Sequence, residues 1–217
     1  MASKFIDGIE VIVSDVDQYL QINDISSSDL IKIWGHIKTN YSLYEKWICY
    51  HNYHEIPFAL LDEIGAVLED DSIELRLPVD GFTFSTFPEI VQITKENFDK
   101  FASHHNKCNP ENGANSERIK RNFYHWVIFA LFTDNRITDY IILFTGSPSQ
   151  AEIYCVEASD NVKCRELIIS AANHAFEYGK KEVLFMADEN TIEHEQAISI
   201  GFVNTGFYKG YEIKQPK

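Results

Sequence analysis

Two glycines frame the last third of this chain. Val162 to Tyr178 carries apolar residues at helical spacing and stops at Gly179. A strand pattern, Lys181-Glu182-Val183-Leu184-Phe185-Met186, follows at once, and Thr191 to Ile200 then reads as a second helix that stops at Gly201. Glycine adopts the left-handed conformation that closes a helix, so each is a stop signal. Glu152 to Val156 is a strand ahead of the longer helix.

Upstream, Trp126 to Phe132 and Asp139 to Phe144 are strand-like runs around the tight turn Thr133-Asp134-Asn135-Arg136, the pattern of a hairpin. Before them come a short strand, Glu89 to Ile93, a helix capped by Thr94 with Phe98, Phe101 and Ala102 on its apolar stripe, a loop from Lys107 to Asn115, and a helix capped by Ser116. Phe202 to Ile213 is expected to form a final pair of strands around Gly206 or Gly210. From residue 88 the order is β-α-α-β-β-β-α-β-α-β-β.

The first 87 residues are expected to be mainly helical. Phe5 to Leu20 has apolar positions at mixed spacing. Ser26 to Asp29 offers an N-cap ahead of Leu30, Ile33 and Ile37, a third helix passes through Leu43 to Tyr50, and Pro57 opens a fourth through Leu68. Only Ser72 to Leu77 alternates as a strand. The division implied is residues 1–87 and residues 88–217.

Charge narrows the partners. Of the net −14, residues 1–87 contribute −10 from 15 acids against 5 Lys and Arg. Such a chain repels phosphate backbones, which argues against nucleic acid, and it is compatible with a cationic amine. No run reaches the ~20 apolar residues that span a bilayer, and the N-terminus does not read as a secretion signal. Cys49, Cys108, Cys155 and Cys164 show no metal spacing and read as buried free thiols of a cytoplasmic protein. No metal site is expected. His51 and His54 with Glu55 could share a metal on a helix, but no third ligand has a definite spacing, and Tyr41 to His54 reads better as a buried aromatic ridge or a cleft wall. His104 and His105 fall where their helix ends, where cations complement the dipole.

Over Ala175-Phe176-Glu177-Tyr178-Gly179, the following strand, Asn190 and Gly201-Phe202, the chain resembles the GNAT superfamily of N-acyltransferases, and the resemblance covers about residues 88–217. It implies an α+β (α/β) fold: a mixed twisted sheet with a splayed parallel strand pair, here preceded by the helical region. It implies acyl-CoA, most simply acetyl-CoA, as cosubstrate, with its pantetheine along the backbone of Tyr154, Cys155 and Val156. Its pyrophosphate would sit on the helix start at Val162, Lys163, Cys164 and Arg165, with Asn190 nearby. The acceptor would be a small-molecule or peptide amine. Relatives often dimerise, so a homodimer is one arrangement the resemblance allows.

The sequence departs from the family at two places. The family's phosphate loop is glycine-rich, whereas Ser159 to Arg165 has no glycine and holds Asp160; Lys163 and Arg165 could compensate or could be a solvated basic edge. The family's frequent tyrosine acid falls at Ala197, which leaves Tyr208 or Tyr211 as substitutes or packing aromatics. Glu157, at the open strand end, and Glu152 are the candidate bases. Asn190 is the asparagine of the family pattern and a candidate cap for the helix after it. Two further readings stay open: a GNAT-fold module without catalysis, and a worn second half of the same fold within residues 1–87.

Overall fold

Asp7 and Gly8 take positive φ, 51° and 84°, and the chain reverses there. This turn makes a hairpin out of a segment expected to be helical. In the computed structural model, which describes residues 2–15, 18–23, 25–51, 56–108 and 116–213, the elements run β1 (Ala2–Ile6), β2 (Ile9–Ser14), β3 (Tyr19–Asn23), α1 (Ser27–Asn40), β4 (Glu45–His51), α2 (Phe58–Glu63), β5 (Ala66–Pro78) and β6 (Val91–Gln92). They continue with α3 (Phe98–Cys108), α4 (Ser116–Arg121), a 3-10 turn (Phe123–His125), β7 (Trp126–Thr133), β8 (Arg136–Phe144) and β9 (Gln150–Glu157). The last are α5 (Asn161–Glu177), β10 (Glu182–Ala187), α6 (Ile192–Ile200) and β11 (Val203–Ile213).

The chain divides into two compact units. One holds the residues up to Ile73 and those from Gly206 on; the other holds Glu74–Thr205. In the first, β1 pairs antiparallel with β2, β2 antiparallel with β3, and β3 parallel with β4 across the α1 crossover; the later part of β11 pairs antiparallel with β4. Leu30, Ile33 and Ile37 of α1 lie three and four apart, so they share one face, and all are fully buried with Val11, Leu20, Ile22 and Ile48. Each such burial contributes about 1.5–3 kcal/mol.

The second unit has the strand order β5-β10-β9-β8-β7-β6. β7, β8 and β9 are antiparallel neighbours, and β9 runs parallel to β10 with α5 as crossover. Phe98 and Phe101 of α3 pack with Ile128, Tyr140 and Ile142 in one core. α5 buries Leu167, Ile168, Ala171, Ala172 and Ala175. It ends at Gly179, φ 80°, where Lys180 N–H donates to the Ala175 carbonyl and Gly179 N–H to that of Phe176. α6 closes in the same way at Gly201, φ 113°, with Phe202 N–H on Ala197 and Gly201 N–H on Ile198.

One order of elements occurs twice along the chain. β1-β2-β3-α1-β4-α2-β5 and β7-β8-β9-α5-β10-α6-β11 share element order and share the parallel pair over a crossover helix.

The mixed sheet of parallel and antiparallel strands with helices is the expected fold class, but residues 1–87 are not mainly helical. Phe5 to Leu20 forms strands because Ile9, Val11 and Val13 alternate between the turns. Leu43 to Tyr50 holds β4, in which Lys46, Ile48 and Cys49 are all buried, so polar and apolar residues do not alternate with burial. The fourth helix stops at Glu63, since Gly65 (φ 73°) turns the chain into β5. The Glu89–Ile93 strand shrinks to β6. α3 starts at Phe98, with Thr94 N–H donating to Asn97 Oδ1 instead of Thr94 capping. β11 is one strand, not two. The loop expected from Lys107 to Asn115 falls largely outside the described residues.

Candidate functional site

The parallel ladder of β9 and β10 covers only part of both strands. Gln150, Ala151, Glu152 and Ile153 pair with Glu182, Val183, Leu184 and Phe185, and there the register ends. On its other side β9 stays paired with β8 as far as Glu157, opposite Tyr140. That second ladder slips at the same point: Cys155 pairs with Ile142, but Ile153 pairs with Leu143, so Tyr154 is the extra residue of a β-bulge. A bulge adds twist and bends its strand. The expected splay is thus visible as a ladder that ends where the strand bulges, with Tyr154, Cys155, Val156 and Glu157 beyond it. The equivalent pair in the first unit does not open: β3 is paired with β4 along its whole length, Tyr19 to Asn23.

Beyond the open stretch the chain turns into α5. Asp160 is the N-cap, in extended conformation, and its Oδ1 accepts the Lys163 N–H at 2.8 Å. The carboxylate therefore occupies the helix N-terminus, where free N–H groups and the dipole would hold a phosphate. Lys163 Nζ is engaged as well, donating to Glu166 Oε2 at 3.1 Å and lying 4.0 Å from Glu89. The Glu166 bond, with the nearby acids, raises its pKa. Val162 and Arg165 are exposed, and Cys164 is fully buried with its thiol pushed up to about 12 by burial.

Asp139, which belongs to no motif in the sequence, positions this turn. It is 4% exposed, and Ser159 N–H donates to its Oδ1 at 2.6 Å. Burial alone would raise its pKa; hydrogen bonds from Ser159 and Thr138, helped by the Lys163 charge, outweigh it and hold the carboxyl below its ordinary value. The one sequence signal that marks it is an acid directly before the apolar run Tyr140 to Phe144.

Cys155 faces a buried polar group. Tyr140, fully buried, shares a 2.8 Å hydrogen bond with His105 Nδ1 and another with the Cys155 thiol. Burial, with the Glu157 charge adding, pushes that thiol up to about 11 against the opposing effect of the Tyr140 bond. His105 lies in the last turn of α3, fully buried, where it takes part in this hydrogen bond.

The remaining candidates are spread more widely. Glu157 is half-buried at the end of β9. Asn190 is exposed with φ 65° and does not cap α6; Thr191 does, accepting the His194 N–H at 3.3 Å. Ala197 is fully buried. Tyr208 belongs to the first unit, hydrogen-bonded to the Cys49 thiol, and burial raises its pKa strongly. The structure brings Tyr154, Cys155, Val156, Glu157 and the α5 turn together; Tyr208 is not part of that unit. Cys49 and Cys164 are buried, Cys155 half-buried, and Cys108 exposed, which corrects the expectation of four buried thiols. Of the His51, His54 and Glu55 reading, His54 and Glu55 lie outside the described residues, and His51 is the last residue of β4, not part of a helix. Among the described residues no three His, Cys, Asp or Glu side chains form a metal-holding group, and no helix is long and apolar enough to cross a membrane.

No protein-family model matches the chain, and no curated protein does. Solved structures are similar to it. A GCN5-related N-acetyltransferase from Kribbella flavida superposes with a TM-score of 0.68 at 9% identity, over 94% of this chain and 86% of that one. The fold is that of the GCN5-related N-acetyltransferases. A conserved protein of unknown function from Staphylococcus epidermidis gives 0.66 at 11% identity, over 94% and 90%. A tandem GNAT protein from the clavulanic acid biosynthesis pathway gives 0.58 at 10% identity, over 96% and 79%.

Proposed function

We propose that the chain is an acyl-CoA-dependent N-acyltransferase acting through its second unit, with acetyl-CoA as the simplest donor and an amine as acceptor. The observation that carries this reading is the end of the β9–β10 ladder at Ile153 and Phe185, coincident with the bulge at Tyr154. A strand edge opened inside a sheet supplies backbone N–H and C=O groups to a peptide-like arm, which is what the amides of pantetheine require.

In this reading the amine nitrogen attacks the thioester carbonyl, and a backbone N–H of Tyr154 to Val156 steadies the oxygen as it gains charge. The C–S bond breaks and the amine proton passes to Glu157, directly or through one water. The departing thiolate belongs to a thiol of pKa about 8.5. It leaves as the anion, so the step needs no protonated Tyr208 in the place that Ala197 vacates. The Asp160 cap argues for a donor held mainly by its pantetheine arm.

The competing reading is a module without catalysis. A closed strand pair would have favoured it, and that closure is found at β3 and β4, not at β9 and β10. Calorimetric titration with acetyl-CoA tests the proposal. Saturable heat is expected at submillimolar donor, and no heat at millimolar donor sinks it.

A further inference from the structure

A cleft of about 680 Å³ lies on the second unit between α3 and the β7–β8 turn, apart from the open strand. Lys100, Ser103, His104 and Lys107 line it from α3, spaced so that they share the face opposite the buried Phe98, Phe101 and His105. Asn135 and Arg136 line it from the turn. Asp134 and Asn135 both have positive φ, 50° and 61°, with Thr133 paired to Arg136. This is the tight two-residue turn of a hairpin, and it fixes where Arg136 starts. Lys100 Nζ donates to Asn135 Oδ1 at 2.7 Å and joins the two walls.

The charge of this cleft opposes that of the molecule. The chain carries −14 overall, yet the cleft holds three permanent cations and one histidine. Its one acid, Asp99, is 3.4 Å from Lys120, and Asp134 does not line it. Lys107 and Arg136 make no ion pair among the described residues. Complementing the α3 dipole accounts for Lys107 and His104 in the last turns, but not for Lys100 or for Arg136, which is on the hairpin. A concave surface of one sign concentrates ions of the other.

We infer that this cleft binds a phosphate ester of a small molecule. Three cations around one concavity call for more than a single negative charge, and a phosphate ester brings about −1.5 to −2 with several acceptor oxygens. The volume lies in the small-molecule range of roughly 300–1,000 Å³, larger than an inorganic ion needs. The inference does not rest on the acyltransferase reading. The ester is either the nucleotide phosphate of the donor or a separate phosphorylated compound, and one experiment distinguishes them.

Inorganic pyrophosphate and adenosine 3′,5′-bisphosphate are titrated into the full chain at low salt, and into the Arg136→Gln, Lys107→Gln and Lys38→Gln variants. Lys38 is an exposed lysine of the first unit. All the substituted positions are solvent-facing or cleft-lining, and equal melting temperatures confirm that the variants fold. Saturable binding is expected, weakened about tenfold by Arg136→Gln and by Lys107→Gln and unchanged by Lys38→Gln. Absence of saturable binding at millimolar probe, full retention in Arg136→Gln, or equal weakening by Lys38→Gln overturns the inference. Acetyl-CoA is then titrated into the same proteins. Affinity lost with Arg136→Gln identifies the donor's own phosphates as the occupant, and affinity kept assigns the cleft to a separate ester. If acetyl-CoA binds none of the proteins, the pyrophosphate result still reads the cleft, so the two proposals fail separately.

Discussion

The Ser159 N–H donates to Asp139 Oδ1 over 2.6 Å, and this bond ties the turn after β9 to a buried position on β8. The turn leads directly into the capped start of α5, so Asp139 fixes where the open strand ends. Asp139→Asn keeps the size of the side chain but removes its charge. A loss of about 1–3 kcal/mol is expected in urea unfolding at pH 7. The Asp139 carboxyl sits below its ordinary pKa in the fold, so its stabilisation is present above the unfolded value of about 3.9 and is lost as pH falls through the folded value. The gap between the two proteins should therefore close in acid. A constant gap from pH 7 down to pH 3 would contradict this assignment.

His174 of α5 supplies a second pH dependence with its own range. It stacks on Tyr178, with ring centroids 4.3 Å apart, and meets Phe129 edge-on. Burial lowers its pKa, with Glu177 opposing. The fold thus holds the neutral ring, and its contribution is complete above the unfolded value of about 6.5 and lost as pH falls through the lowered one. Stability of the wild-type chain should drop between pH 7 and pH 5. His174→Phe, which cannot charge, should flatten that part of the profile, and an unchanged slope in the variant would rule His174 out as its source.

The thiols sort by burial. Cys108 is exposed, while burial pushes Cys155 and Cys164 up to about 11 and about 12. Thiolate is the reacting form, so at pH 7.5 a colorimetric disulfide reagent should titrate one thiol rapidly in the native chain and four in denaturant. Cys108→Ser should abolish the fast phase. A fast phase that persists would place a reactive thiol elsewhere.

Which parts of the molecule are legible in the sequence follows from where the signals are local. Gly179 and Gly201 end their helices by backbone geometry that only neighbouring residues determine, so the parallel crossover is readable from the chain's own order of residues. β4 is not, because its buried residues, Lys46, Ile48 and Cys49, do not alternate in polarity, and Trp47, Ile48 and Cys49 suit a helix or a strand alike. The first hairpin hides in the same way, since Asp7-Gly8 is one turn signal among residues with no clear period. At the site, Tyr154 to Val156 read as a strand, but the end of its ladder depends on a register slip against Ile142 and Leu143, which lie across the sheet. Asp139 stands out locally as an acid beside an apolar run, but its partner does not, because Ser159 is twenty residues away.

On the acyl-CoA reading proposed above, Asp160 is the charge that opposes the donor's pyrophosphate at α5. Its carboxylate accepts the Lys163 N–H and stands where a pyrophosphate would approach α5. Serine caps a helix about as well as aspartate, so Asp160→Ser should keep the α5 cap, changing stability by less than about 0.5 kcal/mol, while deleting one negative charge. Repulsion between that charge and a pyrophosphate a few ångströms away at the surface is on the order of 1 kcal/mol, or about fivefold in affinity. Acetyl-CoA should bind Asp160→Ser about five times more tightly than wild type at low salt, with the difference shrinking as salt screens it. Asp160→Ala separates the two effects: it deletes the same charge but also the cap, so it should gain donor affinity while losing about 1 kcal/mol of stability. Acetyl-CoA affinity that is unchanged in both variants would mean that the donor's phosphates do not approach the start of α5.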